Sequence, residues 1–154
     1  MPTHSEIRHS PYSPRQIYDL VVDIERYPEF LPWCRGARVL DRQAEHFVGE
    51  LIISFSHLTE RYASKVTPKA PPTPADEGSI EVELVNGPFH HLFNHWRFVP
   101  TAEGGTEIHF AVDFQFKSKW LDKLIGGFFS RAIEKMGRAF VERADALYGP
   151  SSHA

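Results

Sequence analysis

The sequence predicts an α+β fold in which a curved antiparallel sheet wraps around a long C-terminal helix, with two short helices near the N-terminus. Apolar residues recur at helical spacing from about Lys119 to Leu147 and form one broad stripe. Most of the chain between Arg38 and Phe116 alternates between apolar and more polar residues, which is the period of a half-buried strand. One long helix after a run of antiparallel strands is buried most simply in the concave face of the sheet.

Composition indicates one globular domain over residues 1–154, with an ordered core of about residues 4–148. A net charge of -3 gives no general attraction to nucleic acid, and 42% hydrophobic residues suffice for a sizeable core. The lone cysteine, Cys34, fits a reducing compartment. No apolar run approaches the roughly 20 residues of a membrane span, and residues 1–10 show no secretory signal. We therefore expect a cytoplasmic protein that contacts the inner membrane face peripherally.

The N-terminal third carries signals for one strand and two short helices. Ser5 to His9 is a candidate first strand. A helix is predicted from Pro14 to Val22, because Ser13 is a suitable N-cap and proline is tolerated in the first helical turn. Pro28 and Pro32 leave room for only a short helical turn between them.

Six strands are predicted next, separated by turns and by one long loop. Asn86-Gly87-Pro88 and Glu103-Gly104-Gly105 have the composition of tight turns. The proline-rich segment from Lys69 to Ser79 is predicted to be a mobile surface loop. A further turn is expected near His57. The strands are centred on residues 38–41, 47–55, 62–66, 80–84, 92–98 and 108–116.

The long C-terminal helix has a clear start and stop. Ser118 is a plausible N-cap, and Gly149-Pro150 is a plausible stop signal. Gly126-Gly127 is unusual, because each glycine inside a helix costs about 0.5–1 kcal/mol relative to alanine. The pair indicates either a local irregularity beside a strand or a bend that frames the mouth of a cavity.

Residue patterns for catalysis or metal binding are weak. His91 and His95 share a face of a predicted strand, but no cysteine or carboxylate nearby in sequence completes a metal site. No Gly-x-Ser-x-Gly motif is present, and Cys34 has no activating neighbour. Glu60 and Arg61 could form an acid–base pair in a cavity, although an ion pair on the strand surface fits them better. We predict no catalytic residue, no bound metal and no enzyme activity.

A basic bias at the start of the last helix suggests contact with a membrane. From Lys117 to Asp145 there are seven basic and four acidic residues, which gives +3 in a chain of net charge -3. Part of this charge belongs to a solvated helix face with ion pairs. Lys117, Lys119 and Lys123 surround Trp120, which projects away from the apolar stripe. An exposed tryptophan among lysines suits a membrane interface, so these four residues are predicted to contact it.

Several segments together carry a family resemblance. They are Asp-Ile-Glu-Arg-Tyr-Pro-Glu-Phe-Leu-Pro-Trp-Cys (23–34), Asn-Gly-Pro-Phe (86–89) with Leu92, Trp-Arg-Phe (96–98), Phe-Gln-Phe (114–116) and Ala-Phe-Val-Glu-Arg-Ala (139–144). These segments resemble the coenzyme Q-binding START-like family, part of the polyketide cyclase/dehydrase and lipid-transport superfamily. The resemblance implies a helix-grip fold and a non-enzymatic ubiquinone-binding role that supports respiratory electron transport. Some bacterial relatives are described as ribosome-association toxins, and the absence of a transit peptide favours a bacterial member.

The leading hypothesis is a carrier or chaperone for ubiquinone or another apolar isoprenoid lipid, bound as a ligand and not as a resident cofactor. The alternative is a toxin that binds the large ribosomal subunit through the basic helix face, and a third is a cyclase or dehydratase. Tyr62, Ser64, Asn94 and the Trp96 indole are candidates to hydrogen-bond a quinone carbonyl. The predicted cavity lining is Phe47, Leu51, Ile53, Phe55, Tyr62, Ser64, Asn94, Trp96, Phe110, Phe114, Leu124, Ile125, Phe128, Phe129 and Ile133.

Overall fold

The computed structural model describes residues 3–55 and 58–149, of which the side chains of Phe55 and Ile125 are not described. The turn expected near His57 therefore lies outside the described residues. A short 3-10 helix, Ile24–Glu29, follows the first α-helix. The elements are β1 (Thr3–Ser10), α1 (Pro14–Val22), β2 (Cys34–Arg42), β3 (Phe47–Phe55), β4 (Leu58–Lys69), β5 (Gly78–Asn86), β6 (Phe89–Pro100), β7 (Thr106–Phe116) and α2 (Lys119–Tyr148).

The seven strands form one antiparallel sheet in the order β1-β7-β6-β5-β4-β3-β2. Strands β2 to β7 follow one another as a meander, and β1 returns to pair with β7. The helices pack on one face of this sheet, with α2 across β1 and β7 and α1 against β5 and β6. This arrangement confirms the predicted α+β architecture, a curved antiparallel sheet with a long C-terminal helix.

The last two strands, β6 and β7, alternate between buried and more exposed residues, and their buried residues form the floor of the core. On β7, every second residue from Ile108 to Phe116 is buried, as the sequence predicts. On β6, Leu92, Trp96 and Phe98 are buried on the same face, and Trp96 pairs in register with Phe110 of β7. The predicted sidedness of both strands is confirmed.

The N-terminal helices differ from prediction in one place. Helix α1 begins as expected with Ser13, whose hydroxyl accepts from the Gln16 amide while the Gln16 side chain accepts from the Ser13 amide. The next helical turn lies mainly before Pro28, not between Pro28 and Pro32. Proline disfavours helical backbone at the residue that precedes it, but Pro28 is accommodated near the end of a short 3-10 turn.

Helix α2 is continuous from Lys119 to Tyr148, so the glycine pair at positions 126 and 127 does not interrupt it. The Ser118 hydroxyl accepts from the backbone amides of Trp120 and Leu121 at 3.1 and 3.3 Å. Within residues 3–55 and 58–149, no helix combines the length and the hydrophobicity needed to cross a bilayer. The face of α2 turned toward the sheet carries Phe129, Ile133, Met136, Phe140 and Ala144.

Gly137 allows α2 to lie directly on a charged pair of the edge strand β1. Arg8 and Glu6 form an ion pair of 3.2 Å on the inner face of β1. A β-carbon at position 137 would overlap Glu6 Oε1 and would lie 3.0 Å from Arg8 Nε. The missing side chain therefore sets how closely the helix approaches the edge of the sheet.

We expect Gly137→Ala to lower the free energy of unfolding by about 1–3 kcal/mol, because the added methyl group displaces a confined ion pair. Gly127→Ala is the matched control, since a β-carbon there meets no atom within 4 Å. This control should stabilise the protein by about 0.5–1 kcal/mol through helix propensity. Urea denaturation measures the change in unfolding free energy for both variants. A stabilising effect of Gly137→Ala would contradict the close approach of α2 to Glu6 and Arg8.

Candidate ligand cavity

A cavity lies between the concave face of the sheet and the helices. Its floor comes from β3 to β6, and it is covered by α1, the 3-10 helix and α2. Its volume is about 50 Å³. The lining residues are Val21, Ile24, Tyr27, Gly49, Leu51, Tyr62, Ser64, Val66, Ile80, Val82, Asn94, Trp96 and Met136.

A second cavity of about 20 Å³ lies beside the first, nearer the middle of α2. Tyr62, Asn94 and Met136 line both cavities and therefore form the partition between them. A methionine side chain is unbranched and adaptable, so Met136 can change rotamer at low cost. The remaining lining of the second cavity is Trp33, Leu92, Phe110, Val112, Phe129, Ala132 and Ile133.

Two polar groups in this apolar space have no hydrogen-bond partner among the described residues. They are Ser64 Oγ and Asn94 Oδ1, and both atoms are buried. Leaving a buried polar group unpaired costs about 1–3 kcal/mol, so proteins rarely keep one without a reason. Ser64 is only 4% exposed and faces the main cavity from β4, while Asn94 faces both cavities from β6. A molecule with polar atoms that filled the cavities would satisfy these groups.

Tyr62 brings a third polar group to the partition. Gly87 lies so close that a β-carbon there would overlap the Tyr62 β-carbon, and the Phe89 ring packs edge-on against Tyr62 at 5.4 Å. Burial raises the pKa of Tyr62 well above its usual range. The phenol therefore stays protonated and able to donate at physiological pH.

Of the fifteen side chains predicted to line the cavity, eight do so. Leu51, Tyr62, Ser64, Asn94 and Trp96 line the main cavity, and the others line the second. Three more are buried in the core without reaching either cavity, and the side chains of Phe55 and Ile125 are not described. Contact of any of these with a ligand stays a prediction. The second-cavity residues are Phe110, Phe129 and Ile133, and the buried ones away from both cavities are Phe47, Ile53 and Phe114.

Leu124 and Phe128 are placed differently from the prediction, because the structure puts them on the outside of α2. Each is 45% exposed, and neither lines a cavity. The apolar stripe read from the sequence is wider than the face that one sheet covers. Phe129 and Ile133 occupy the centre of the covered face, and residues on the stripe's edge extend past the sheet into solvent.

Sequence reasoning missed eight of the thirteen residues that line the main cavity, Gly49 among them. Val21, Ile24 and Tyr27 cover it from α1 and the 3-10 helix, and Met136 covers it from α2. Their apolar character signals burial, but only the tertiary packing of separate elements shows that they meet. Val66, Ile80 and Val82 share a face with predicted lining residues on neighbouring strands, so the same alternation could have identified them.

The cavity lining offers little acid–base chemistry. Among the described residues that line the two cavities, the titratable side chains are Tyr27 and Tyr62, and burial raises the pKa of both. Burial also raises the pKa of the nearby Cys34 thiol to about 11, which keeps it un-ionised. Arg61 lies on the sheet surface, 3.8 Å from Glu50, instead of forming a cavity pair with Glu60.

The predicted metal-ligand candidates of β6, His91 and His95, line neither cavity. His91 is on the outer face of the sheet, with its Nε2 atom 3.2 Å from Asp113 Oδ1. Within the described part of the chain, no group of three or more histidine, cysteine or carboxylate side chains is arranged to hold a metal ion.

Comparison with known proteins matches residues 10–141 to the family described as polyketide cyclase / dehydrase and lipid transport. A Rickettsia prowazekii protein named ribosome association toxin RatA is 42% identical over 136 residues, 87% of this chain and 90% of the relative. A Dictyostelium discoideum protein named coenzyme Q-binding protein COQ10, mitochondrial, is 34% identical over 145 residues, 92% of this chain and 68% of the relative. A START superfamily protein from Mycobacterium smegmatis has the same fold, with a TM-score of 0.74, 18% identity, and coverage of 94% and 98% of the two chains.

Proposed function

The chain belongs to the polyketide cyclase / dehydrase and lipid transport family, and from that premise we propose that it binds ubiquinone and carries or presents it for respiratory electron transport. The observation that carries the proposal is the pair of unpartnered polar atoms, Ser64 Oγ and Asn94 Oδ1, inside an otherwise apolar cavity. An apolar space with a few placed polar groups is the usual form of a small-molecule site. The 34% identity to a protein named for coenzyme Q binding supports the same reading.

The polar groups of the cavity are suited to a quinone head group. A serine hydroxyl and an asparagine amide can each donate and accept a hydrogen bond. Ser64, Asn94 and Tyr62 can therefore donate to the carbonyls of a quinone, and Ser64 and Asn94 can accept from the hydroxyls of a quinol. The apolar lining of both cavities would enclose the ring and the first isoprenoid units, with a gain of about 25 cal/mol per Å² buried.

Binding requires the cavities to expand. Pockets that hold small molecules typically measure about 300–1,000 Å³. The main cavity measures only about 50 Å³. A rotamer change at Met136 would join the two cavities, since this side chain lines both. Outward movement of α2 from the sheet would then supply the remaining volume.

A carrier role fits the lining better than a cyclase or dehydratase role. Both reactions need a positioned general acid or base with a pKa near the working pH. The tyrosines that line the cavity have pKa values raised by burial, which keeps them protonated at neutral pH and makes them weak acids. The cavity is thus equipped to hold and orient a polar head group, and not to transfer its protons.

The second candidate function is association with the ribosome, and the 42% identity to a protein named RatA favours it. Under this alternative, the chain would bind the large ribosomal subunit through the basic surface of α2 and inhibit translation. Binding to RNA phosphates would weaken steeply as salt rises. Cosedimentation with purified large subunits at low and high salt, combined with a cell-free translation assay, tests it directly.

The ubiquinone proposal is tested by titrating a short-tailed ubiquinone into the protein in detergent micelles. Ser64→Ala should lower quinone affinity about 2- to 10-fold through the lost hydrogen bond, and it should stabilise the ligand-free protein because it removes an unpaired hydroxyl. Ser5→Ala is the matched control, since Ser5 is an exposed serine of β1, and it should change neither quantity. Unchanged quinone affinity in Ser64→Ala, or no binding by the wild type, would contradict the proposal.

A further inference from the structure

The first three turns of α2 expose an apolar ridge. Trp120 is 62% exposed, and Leu124 and Phe128 are each 45% exposed. These residues are spaced four apart, so they lie one above another on the same face of the helix. We call Trp120, Leu124 and Phe128 the α2 ridge. A contiguous apolar surface of this kind marks an interaction site, whereas single exposed apolar residues do not.

Basic side chains surround the α2 ridge. Residues 117–131 contain four basic residues and one acidic residue, a net charge of four minus one, or +3, in a chain of net charge -3. Arg131 places its guanidinium carbon 5.0 Å from the centre of the Phe128 ring. The other three basic residues are Lys117, Lys119 and Lys123, all exposed.

The position of Lys119 is unfavourable for the helix itself, and Asp122 in the same turn offsets only part of this cost. Backbone amides give a helix N-terminus a partial positive charge, so cations in the first turn are destabilising there. Lys119 is the first residue of α2, and Lys117 precedes its N-cap. A local rule broken in this way points to a functional role for the charge.

We propose that the α2 ridge and its basic border dock the protein on an anionic phospholipid surface. Apolar side chains flanked by lysine and arginine fit the boundary between headgroups and acyl chains, where a tryptophan ring is also favoured. This inference deepens the proposed function and rests on it, because the docked surface is where an isoprenoid quinone would enter and leave.

The geometry connects the docking surface to the cavities. Phe129 follows Phe128 in the chain and points the opposite way, into the lining of the second cavity. Its ring packs on Phe114 at 4.7 Å and on Phe89 at 5.4 Å, and Phe89 in turn contacts Tyr62. The same helical segment therefore presents one side to the membrane and covers the cavity with the other.

The C-terminal half of α2 packs on β6 and on the 3-10 helix region. The Phe140 ring packs on Tyr27, Phe30 and Trp96 with centroid distances of 5.1–5.3 Å. Arg143 pairs with Glu29 across the interface with the 3-10 helix.

Vesicle cosedimentation tests the docking surface, with equimolar phosphatidylcholine and phosphatidylglycerol compared with pure phosphatidylcholine. Leu124→Gln/Phe128→Gln should lower partitioning into the anionic vesicles about tenfold or more, because it removes two membrane-buried side chains. Lys117→Gln/Lys119→Gln/Lys123→Gln should lower it on the order of fivefold for each lysine, with little effect on neutral vesicles. Brominated lipids should quench tryptophan emission more in the wild type than in Trp120→Ala, which keeps only Trp33 and Trp96.

Matched controls separate the α2 ridge from general surface changes. Ile7 and Val85 are 54% and 57% exposed on other elements, so Ile7→Gln/Val85→Gln removes as much exposed apolar surface. Lys65→Gln/Lys69→Gln removes exposed charge from β4. Both controls should bind vesicles like the wild type, and all variants should keep the wild-type circular dichroism spectrum.

The docking proposal would be overturned if the wild type did not bind vesicles, or if the control variants lost as much vesicle binding as the ridge and lysine variants. It would also be overturned if Leu124→Gln/Phe128→Gln lost cosedimentation with the large ribosomal subunit but bound vesicles like the wild type. The proposed function fails separately. In detergent micelles, Leu124→Gln/Phe128→Gln should bind quinone with the same affinity as the wild type, since the α2 ridge lies outside the cavities. A wild type that binds vesicles but no quinone would retain the docking surface and refute the quinone proposal.

Discussion

Replacement of Trp96 by alanine is expected to lower the free energy of unfolding by about 3–5 kcal/mol, the cost of truncating a large aromatic side chain in a core. Trp96 is 2% exposed and packs on Phe110 at 4.3 Å and on Phe140 at 5.1 Å. It therefore joins the sheet to α2 as well as lining the cavity. Urea denaturation followed by circular dichroism measures the loss.

Trp120→Ala is the matched control for this prediction. Trp120 is exposed on α2, so its removal should change stability by no more than about 0.5 kcal/mol. The two variants thus compare the loss of a core tryptophan with the loss of a surface tryptophan. Similar losses in both variants would contradict the assignment of Trp96 to the junction of sheet and helix.

Asn94→Leu is expected to reduce quinone affinity roughly 100-fold, the largest effect on binding from a single substitution, through one lost hydrogen bond and an occupied cavity. Asn94 lines both cavities, so a leucine there fills the partition through which they would join. The ligand-free protein should not lose stability, because the substitution also removes a buried unpaired amide oxygen. Titration with a short-tailed ubiquinone in micelles measures the affinity.

Asn94→Ala distinguishes filling of the cavity from loss of a hydrogen bond. It removes the same amide without adding volume, so affinity should fall only about 2- to 10-fold. Equal affinities in the leucine and alanine variants would show that the ligand does not occupy the space around Asn94. Wild-type quinone affinity in Asn94→Leu would show that this cavity is not the quinone site.

Much of the fold could be predicted because its signals are local. Alternation along β7, the Ser13 capping box and the Ser118 N-cap each specify an element within a few residues. The 3-10 helix could not be placed correctly, because a proline limits a helix without fixing which side of it the turn lies on. The Gly137 contact with Glu6 joins residues far apart in sequence, and no local pattern indicates it.

The candidate site was predictable where it depends on strand faces and less so where it depends on helix packing. Tyr62, Ser64 and Asn94 follow from the period of two residues, which leaves a side chain only two possible faces. The sequence assigns Leu124 and Phe128 to the cavity because a broad apolar stripe does not show how much of it the sheet covers. Their exposure, read together with the basic border, is what reveals the α2 ridge.

The most direct test of the central claim is mass spectrometry of organic extracts from protein purified out of its own host. The account predicts that a polyprenyl quinone copurifies with the wild type and is nearly absent from folded Asn94→Leu protein prepared in parallel. Absence of quinone from the wild type, or equal amounts in both proteins, would contradict the claim that this cavity binds ubiquinone.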